Sequence, residues 1–365
     1  MPTAAELRAF ALARSVGSKT DLAEAIRTLG YVQADPIRAP ARAQDLILMQ
    51  RVRGYRVGDL ERRYHDLGIE EDMLHNYGFV PREIQRLLHP RHIEVLRIER
   101  DAPGLSEKVL AFVHEHGSVH PRDLDLHFGR TSVGNYWGGN SSATTRVLDG
   151  LHYRGKLRIV RRDKGIRVYG VAEHLSAEPS AEANREEQAR GLVQLLLKLY
   201  APLPAQSLGY LVSLLGYGAP HLKPELRAAL KGLEAQRAKV DQFIYLWPEE
   251  ESLTNADVAR VAPRKVRILT PFDPLVWDRR RFEHLHGWPY KFEAYTPAAK
   301  RQFGYYALPL LWGDEALGWA NLKVENGELK ADIGYAKEPP KSKVFASQLE
   351  AELNRYRTFL GIAGV

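Results

Sequence analysis

The chain has 365 residues, with 52 Lys and Arg against 45 Asp and Glu for a net charge of +7. That is length for two to four modules, and a charge excess that suits an anionic partner such as nucleic acid. It has no cysteine, which excludes disulfides, Cys-ligated zinc and thiol catalysis; a metal would have to sit on His and carboxylates. "MPTAAELRAFALARSVGS" lacks a signal-peptide core, and no run reaches the roughly 20 apolar residues of a membrane span, so a cytoplasmic globular protein is expected.

The first module is expected over residues 1–100. "TAAELRAFALAR" and "SKTDLAEAIRTLG" have the apolar spacing of two short helices, the second stopped by Gly30. A strand-like "YVQAD" follows, Pro36 ends it, and "PARAQDLILMQRV" is again helical, an order that suits a helix-turn-helix. Within "GYVQADPI" a strand period puts Gln33 and Asp35 on one face. An amide beside a carboxylate can hold a water, the amide orienting it while the carboxylate accepts a proton or stabilises developing positive charge. The plainer alternative makes Asp35 the cap of a helix entered at Pro36, with Gln33 on an exposed strand edge. Arg38, Arg42, Arg51, Arg53, Arg56, Arg62 and Arg63 follow, either gripping phosphates through their forked guanidinium groups or coating helix surfaces. In "ERRYHDLGIEEDMLH", Glu71 and His75 fall one helical turn apart, placed to face one site or simply to support a helix.

Residues 101–175 read more clearly. "GLSEKVLAFVHEHG", "SVHPRDLDLHFG" with Pro121 in its first turn, and "SSATTRVLDGLHYRG", serine-capped and closed by Gly155, predict three helices. Leu157–Arg161 and Ile166–Val171 alternate around "RDKG", where Lys164-Gly165 supplies a tight turn, so a β-hairpin is expected. Helix, helix, helix, hairpin is the order of a winged helix. Arg154, Lys156, Arg158, Arg161, Arg162, Lys164 and Arg167 crowd this wing with a single acid, Asp163. Arg38, Arg42, Arg146, Arg154, Arg158, Arg161, Arg162 and Lys164 are the DNA-binding candidates. A solvated edge that discourages strand pairing is the competing explanation for the wing.

A linker, "SAEPSAEAN", leads to a third helix-rich stretch over residues 184–250, ending in the strand-like "KVDQFIYLWPEE". From 251 to 365 the chain turns β-rich. "KVRILTPFDPLVW", "YKFEAYTP" and "GYYALPLLWGDEALGWANLKVENGELKADIGYA" predict antiparallel strands, and "SKVFASQLEAELNRYRTFLGI" a closing helix. "HEH" at His114–His116 and "HLH" at His284–His286 resemble metal pairs, but i,i+2 residues diverge on a helix, so His114 and His116 are poor chelate partners; no metal site is expected, and no Walker loop, GxGxxG or GxSxG occurs.

"GYVQADPI" with its arginine-rich helix, "SSATTRVLDGLHYRGKLRIV", and "PFDPLVWDRRRFEHLHGWPYKFEAYTPAAKRQFGYY", in that order over nearly the whole chain, resemble the winged-helix bacterial DNA glycosylases of the AlkZ and YcaQ type. The resemblance implies an α+β protein, three tandem winged-helix units in a C shape plus a C-terminal antiparallel, barrel-like domain. It implies a cofactor-free monomer acting on double-stranded DNA that carries N7-alkylated or crosslinked purines, in the bacterial cytoplasm and nucleoid. The family signature, Gln, apolar, then Gln or Asp, matches Gln33, Ala34 and Asp35, which makes those two polar residues the implied catalytic pair of a monofunctional glycosylase that leaves an abasic site. Glu71, His75 and Pro81 keep the spacing of a supporting motif, with Asp72 and Met73 where aromatics are expected. Rival readings are a non-catalytic winged-helix DNA-binding regulator and a scaffold whose basic wing meets acidic proteins.

Overall fold

The computed structural model describes residues 1–91, 97–134, 140–175, 181–253 and 264–362. The chain forms two compact units built from separated stretches: one from Met1–Leu60, Val193–Ser213 and Gly232–Val365, the other from Glu61–Leu192 and Leu214–Lys231.

The first unit opens on helices with sequence-encoded ends. Ala4–Val16 starts from a capping box: Thr3 Oγ1 accepts from the Glu6 N–H at 3.2 Å, and the Glu6 carboxylate accepts from the Thr3 N–H at 2.7 Å. Leu22–Leu29 is capped by Asp21 and stops at Gly30, in the left-handed region at φ 67°. A side chain there would be strained, and its Cβ would fall 2.4 Å from Leu195 Cδ1. The strand that follows is shorter than alternation predicts, only Val32–Gln33. Helix Ala43–Arg51 is buried at every residue, as expected of a helix enclosed by core.

Four strands, Val266–Ile268, Leu308–Trp312, Glu315–Glu325 and Glu328–Tyr335, pair antiparallel in that order. Helix Lys343–Leu360 packs on the first of them, Tyr356 donating its hydroxyl to Ile268 O at 2.8 Å. A smaller sheet of Leu203–Pro204, Phe243–Trp247 and Gln236–Val240 closes with Ala4–Val16 around Leu7, Phe10, Tyr245 and Trp247. Two expected strands are absent or curtailed. "YKFEAYTP" lies in no strand, and of "KVRILTPFDPLVW" only Val266–Ile268 is one. Val276 and Tyr290 instead join Phe282, Trp288 and Leu311 in one core, so their apolar character serves loop packing rather than a sheet face. Between them the chain forms an unanticipated helix, Arg279–His286, capped by Asp278.

The second unit contains helices Leu105–His116, Pro121–Phe128 and Ala143–Tyr153, then the hairpin Leu157–Asp163 and Ile166–Val171. Pro121 sits in the first turn of its helix, Ser142 Oγ accepts from the Thr145 N–H at 3.3 Å, and Lys164 and Gly165 turn the hairpin at φ 50° and 87°. Ser118–Val119 adds a third strand beside Ile166–Val171. Val109, Val113, Leu124, Val147 and Leu157 fill the interior, each contributing roughly 1.5–3 kcal/mol of burial. Glu71 and His75 are not on a helix. Ile69–Met73 and Tyr77–Pro81 form an antiparallel hairpin, with Glu71 opposite Phe79 and His75 in the bend. The linker "SAEPSAEAN" lies largely outside the described residues. No described helix is long and apolar enough to cross a membrane.

Candidate active site

Gly30 ends its helix and sends the chain through Tyr31 and Val32, both buried, to Gln33, of which 7% is exposed. Gln33 is therefore not on an open strand edge. Its Oε1 accepts a hydrogen bond from Trp277 Nε1 at 3.0 Å. Its Nε2 has no hydrogen-bond partner among the described residues. An indole N–H only donates, so the amide must present its oxygen to Trp277 and its NH2 group away from it.

Asp35 lies two residues on, half-buried, and its Oδ1 accepts from the Ile37 N–H at 2.9 Å. It caps a tight turn rather than a helix, as no helix begins at Pro36. Burial raises its pKa above the ordinary aspartate value, and the Ile37 N–H only partly offsets this. No cation pairs with it among the described residues. Tyr306, itself buried, feels the Asp35 charge, although burial is the main reason its hydroxyl holds its proton.

The loop that brings Trp277 to Gln33 is tied down residue by residue. The backbone N–H groups of Val276 and Trp277 both donate to Asp273 O at 2.8 Å. The Asp273 carboxylate is fully buried and meets Arg51 at 2.8 and 3.0 Å, while its Oδ1 also accepts from the Leu275 N–H at 3.0 Å. Arg279 donates to the carbonyls of Pro271 and Val276, and the buried Arg281 to those of Pro274 and Tyr200. The indole packs on the Tyr200 ring at 5.4 Å. Thus Arg51, Arg279 and Arg281 point inward and hold a loop. Arg51 stood among the candidate phosphate contacts of the first module, and its guanidinium is consumed by Asp273, Ile47 O and Ser15. Arg38 is exposed, and Arg42 is the half-buried residue before helix Ala43–Arg51.

In the second unit, strand Ile69–Met73 carries three consecutive buried acids. Alternation turns Glu70 and Asp72 one way and Glu71 the other. Glu70 accepts from Arg82 and Arg158, each Nε at 2.9 Å. Asp72 is enclosed by Gln85, His89 and Arg91, each at 2.8 Å, and Arg91 and His89 hold its pKa far below the usual carboxylate range despite burial. Glu71 takes a two-pronged grip from Arg162, Nε at 2.7 Å, and the Tyr77 hydroxyl at 2.9 Å. His75, in the bend between the two strands, is fully buried, and burial holds its pKa down to about 3.

The wing is less naked than its sequence suggests. Arg154 pairs with Glu99 at 2.8 Å, Arg158 with Glu70, Arg162 with Glu71, and Arg167 with Asp149 at 3.1 Å. Arg161 is exposed and paired with Asp163 at 3.1 Å; Lys164 stands exposed at the turn; Arg146 is half-buried on its helix. Acids 18 to 91 positions away neutralise cations that looked unopposed locally.

Sequence reasoning missed Trp277 as a site residue. The only signal was negative: "PFDPLVWDRRR" has two prolines, Pro271 and Pro274, and aromatics in no helical or strand period, which marks a constrained loop but not its target.

A sequence model of the family described as DNA glycosylase AlkZ-like matches residues 26–359 of the chain. Among solved structures the chain is similar to the Streptomyces sahachiroi DNA glycosylase AlkZ, with a TM-score of 0.64 and 14% identity over 100% of this chain and 98% of that one. At that identity the structural likeness speaks to the fold alone.

Proposed function

We propose that this chain, which belongs to the AlkZ-like DNA glycosylase family, hydrolyses the N-glycosidic bond of N7-alkylated purines in double-stranded DNA through Gln33 and Asp35. The observation that carries the reading is Asp35 itself: a half-buried carboxylate with no cation against it, its pKa raised by burial, two residues from an amide whose NH2 group is unengaged among the described residues. A carboxylate neutralised by arginine would be a weak base; this one keeps its basicity.

An N7-alkylated purine already carries positive charge, so it leaves as a neutral base without acid assistance. The C1′–N9 bond breaks with its electron pair going to the base, and positive charge develops on the sugar. Asp35 faces that charge, takes a proton from water as the water oxygen bonds to C1′, and an abasic site remains. Gln33 holds the water. No lysine nucleophile takes part.

Three winged-helix units followed by a barrel-like C-terminal domain belong to the same proposal, with boundaries at 1–100, 101–175, 184–250 and 251–365. The second has the best support, three helices with a three-stranded sheet in the order Ser118–Val119, Ile166–Val171, Leu157–Asp163. On it, the exposed Arg161 and Lys164 are wing cations for DNA phosphates, with the exposed Lys156 just before the hairpin. Crosslinked purines are a further substrate under this reading. The test is release of 7-methylguanine from methylated duplex by the intact chain and by Asp35→Asn. Release by the wild type with loss of about a hundredfold or more in the variant supports the assignment, on the scale of removing a general base; equal release by both sinks it.

A further inference from the structure

We infer that Trp277 is a positioning residue for hydrolysis: its indole N–H fixes the Gln33 amide so that Gln33 serves the reaction as a hydrogen-bond donor. The inference rests on the proposed glycosylase reading and gives Gln33 a chemical sense that the reading leaves open.

A glutamine amide can present either its oxygen or its NH2 group to a site, and the two ends differ little in shape. Here one end is decided. Trp277 Nε1 lies 3.0 Å from Gln33 Oε1, and the reverse orientation would set two N–H donors against each other. The flipped amide would lose this bond and leave the indole N–H against a donor, so the orientation is held rather than sampled. Tyr200 packs against the indole ring, and the Trp277 backbone N–H, bound to Asp273 O, fixes the segment that carries it. Asp273 is in turn clamped by Arg51. The free end of Gln33 is therefore Nε2, with two N–H groups.

Such a donor fits one role in hydrolysis. An attacking water has two lone pairs and two protons. One lone pair accepts from Gln33 Nε2, one proton points to the Asp35 carboxylate, and the remaining lone pair is left aimed at C1′. Were the amide reversed, Gln33 would compete with Asp35 for the water's protons instead of fixing its oxygen. The same amide that looks like a neutral bystander thus sets which lone pair attacks.

The residue's effect is read by removing the indole N–H. In Trp277→Phe the ring that packs on Tyr200 is kept and the donor is lost; replacing Trp277 by 3-benzothienylalanine, with sulfur where the N–H stood, keeps the whole bicycle and decides the matter if the phenylalanine variant melts early. Single-turnover release of 7-methylguanine is measured for wild type, each Trp277 variant, Gln33→Ala and the double variant. The expected result is a fall of about five- to tenfold in the chemical rate, the scale of one hydrogen bond, with DNA affinity unchanged, and no further fall when the change is made in the Gln33→Ala background. A chemical rate equal to wild type, or a loss of the same size with Gln33 already removed, overturns the positioning role while leaving the glycosylase reading in place. No base release by the wild type overturns both.

Discussion

Arg51 and Asp273 meet in a two-pronged ion pair at 2.8 and 3.0 Å, with 5% and 0% of their side chains exposed. One lies at the end of helix Ala43–Arg51 and the other in the loop that carries Trp277, so a single buried pair ties the segment after Gln33 to the segment that orients it.

Truncating one partner strands the other charge in the interior. Arg51→Ala should cost about 3–5 kcal/mol, read as a lower urea midpoint at unchanged slope. Asp273→Asn keeps the shape and the Leu275 contact but leaves the buried Arg51 charge without its counterion, so it should lower the midpoint and also lower base release. A midpoint for Arg51→Ala that matches the wild type would mean the pair is not structural.

Asp35 should be a site where activity opposes stability. Its folded pKa is raised above the usual 3.8, so the folded protein disfavours the charged form relative to the unfolded chain. The stabilisation linked to this group is therefore complete below 3.8 and is lost as pH rises through the folded value. Asp35→Asn, permanently neutral and still able to accept from the Ile37 N–H, should melt higher than the wild type at pH 7, with the gap closing as pH falls toward 3.8. Its base-release rate should be lost at every pH. A variant that melts lower at pH 7 would contradict the raised pKa.

The parts legible in the sequence are those decided within one turn of chain. Gly30 as a helix stop, Ser142 as a cap, Pro121 in a first turn and Lys164-Gly165 as a hairpin turn each act over four residues or fewer, and each stands where local chemistry puts it. Gln33 was legible as a polar residue of interest, not its environment, because its partner is 244 positions away. The ion pairs of Arg51 and Arg162 were not legible for the same reason: their carboxylates are 222 and 91 positions distant. "IEEDM" reads as helix support by spacing, yet it is a strand with acids on both faces, which becomes affordable only once arginines from other elements surround it.

The wing arginines should split into two classes. Arg162 holds Glu71, of which 2% is exposed, so Arg162→Ala should destabilise on the order of 2–3 kcal/mol, tempered by Arg167 lying 3.9 Å from the same carboxylate. Arg161→Gln and Lys164→Asn should change stability by less than about 0.5 kcal/mol, asparagine tolerating the left-handed turn position. Each should weaken DNA binding and reduce the slope of log affinity against log salt by about one. Melting curves and salt titrations on an undamaged duplex separate the classes. If Lys164→Asn leaves the salt slope untouched, the turn does not meet phosphate.

The second unit should be acid-sensitive through histidines kept neutral. Burial holds His75 down to about 3, and it depresses His89 and His152 as well, the last donating from Nε2 to Glu71 O at 2.9 Å. An unfolded chain takes up a proton at each near 6.5, whereas the folded protein refuses it until much lower pH. Each depressed histidine thus contributes stability that is fully present above 6.5 and is lost as pH falls from 6.5 toward its folded value, by up to about 1.4 kcal/mol per pH unit for one proton. Asp72, held far below the carboxylate range by Arg91 and His89, adds a loss of the same sign once pH passes below 3.8. Urea midpoints between pH 7.5 and 4.5 should fall steeply, and His75→Gln should flatten the fall by close to one proton. A variant with the wild-type pH slope would show that His75 titrates alike in both states, and that its burial does not exclude the proton.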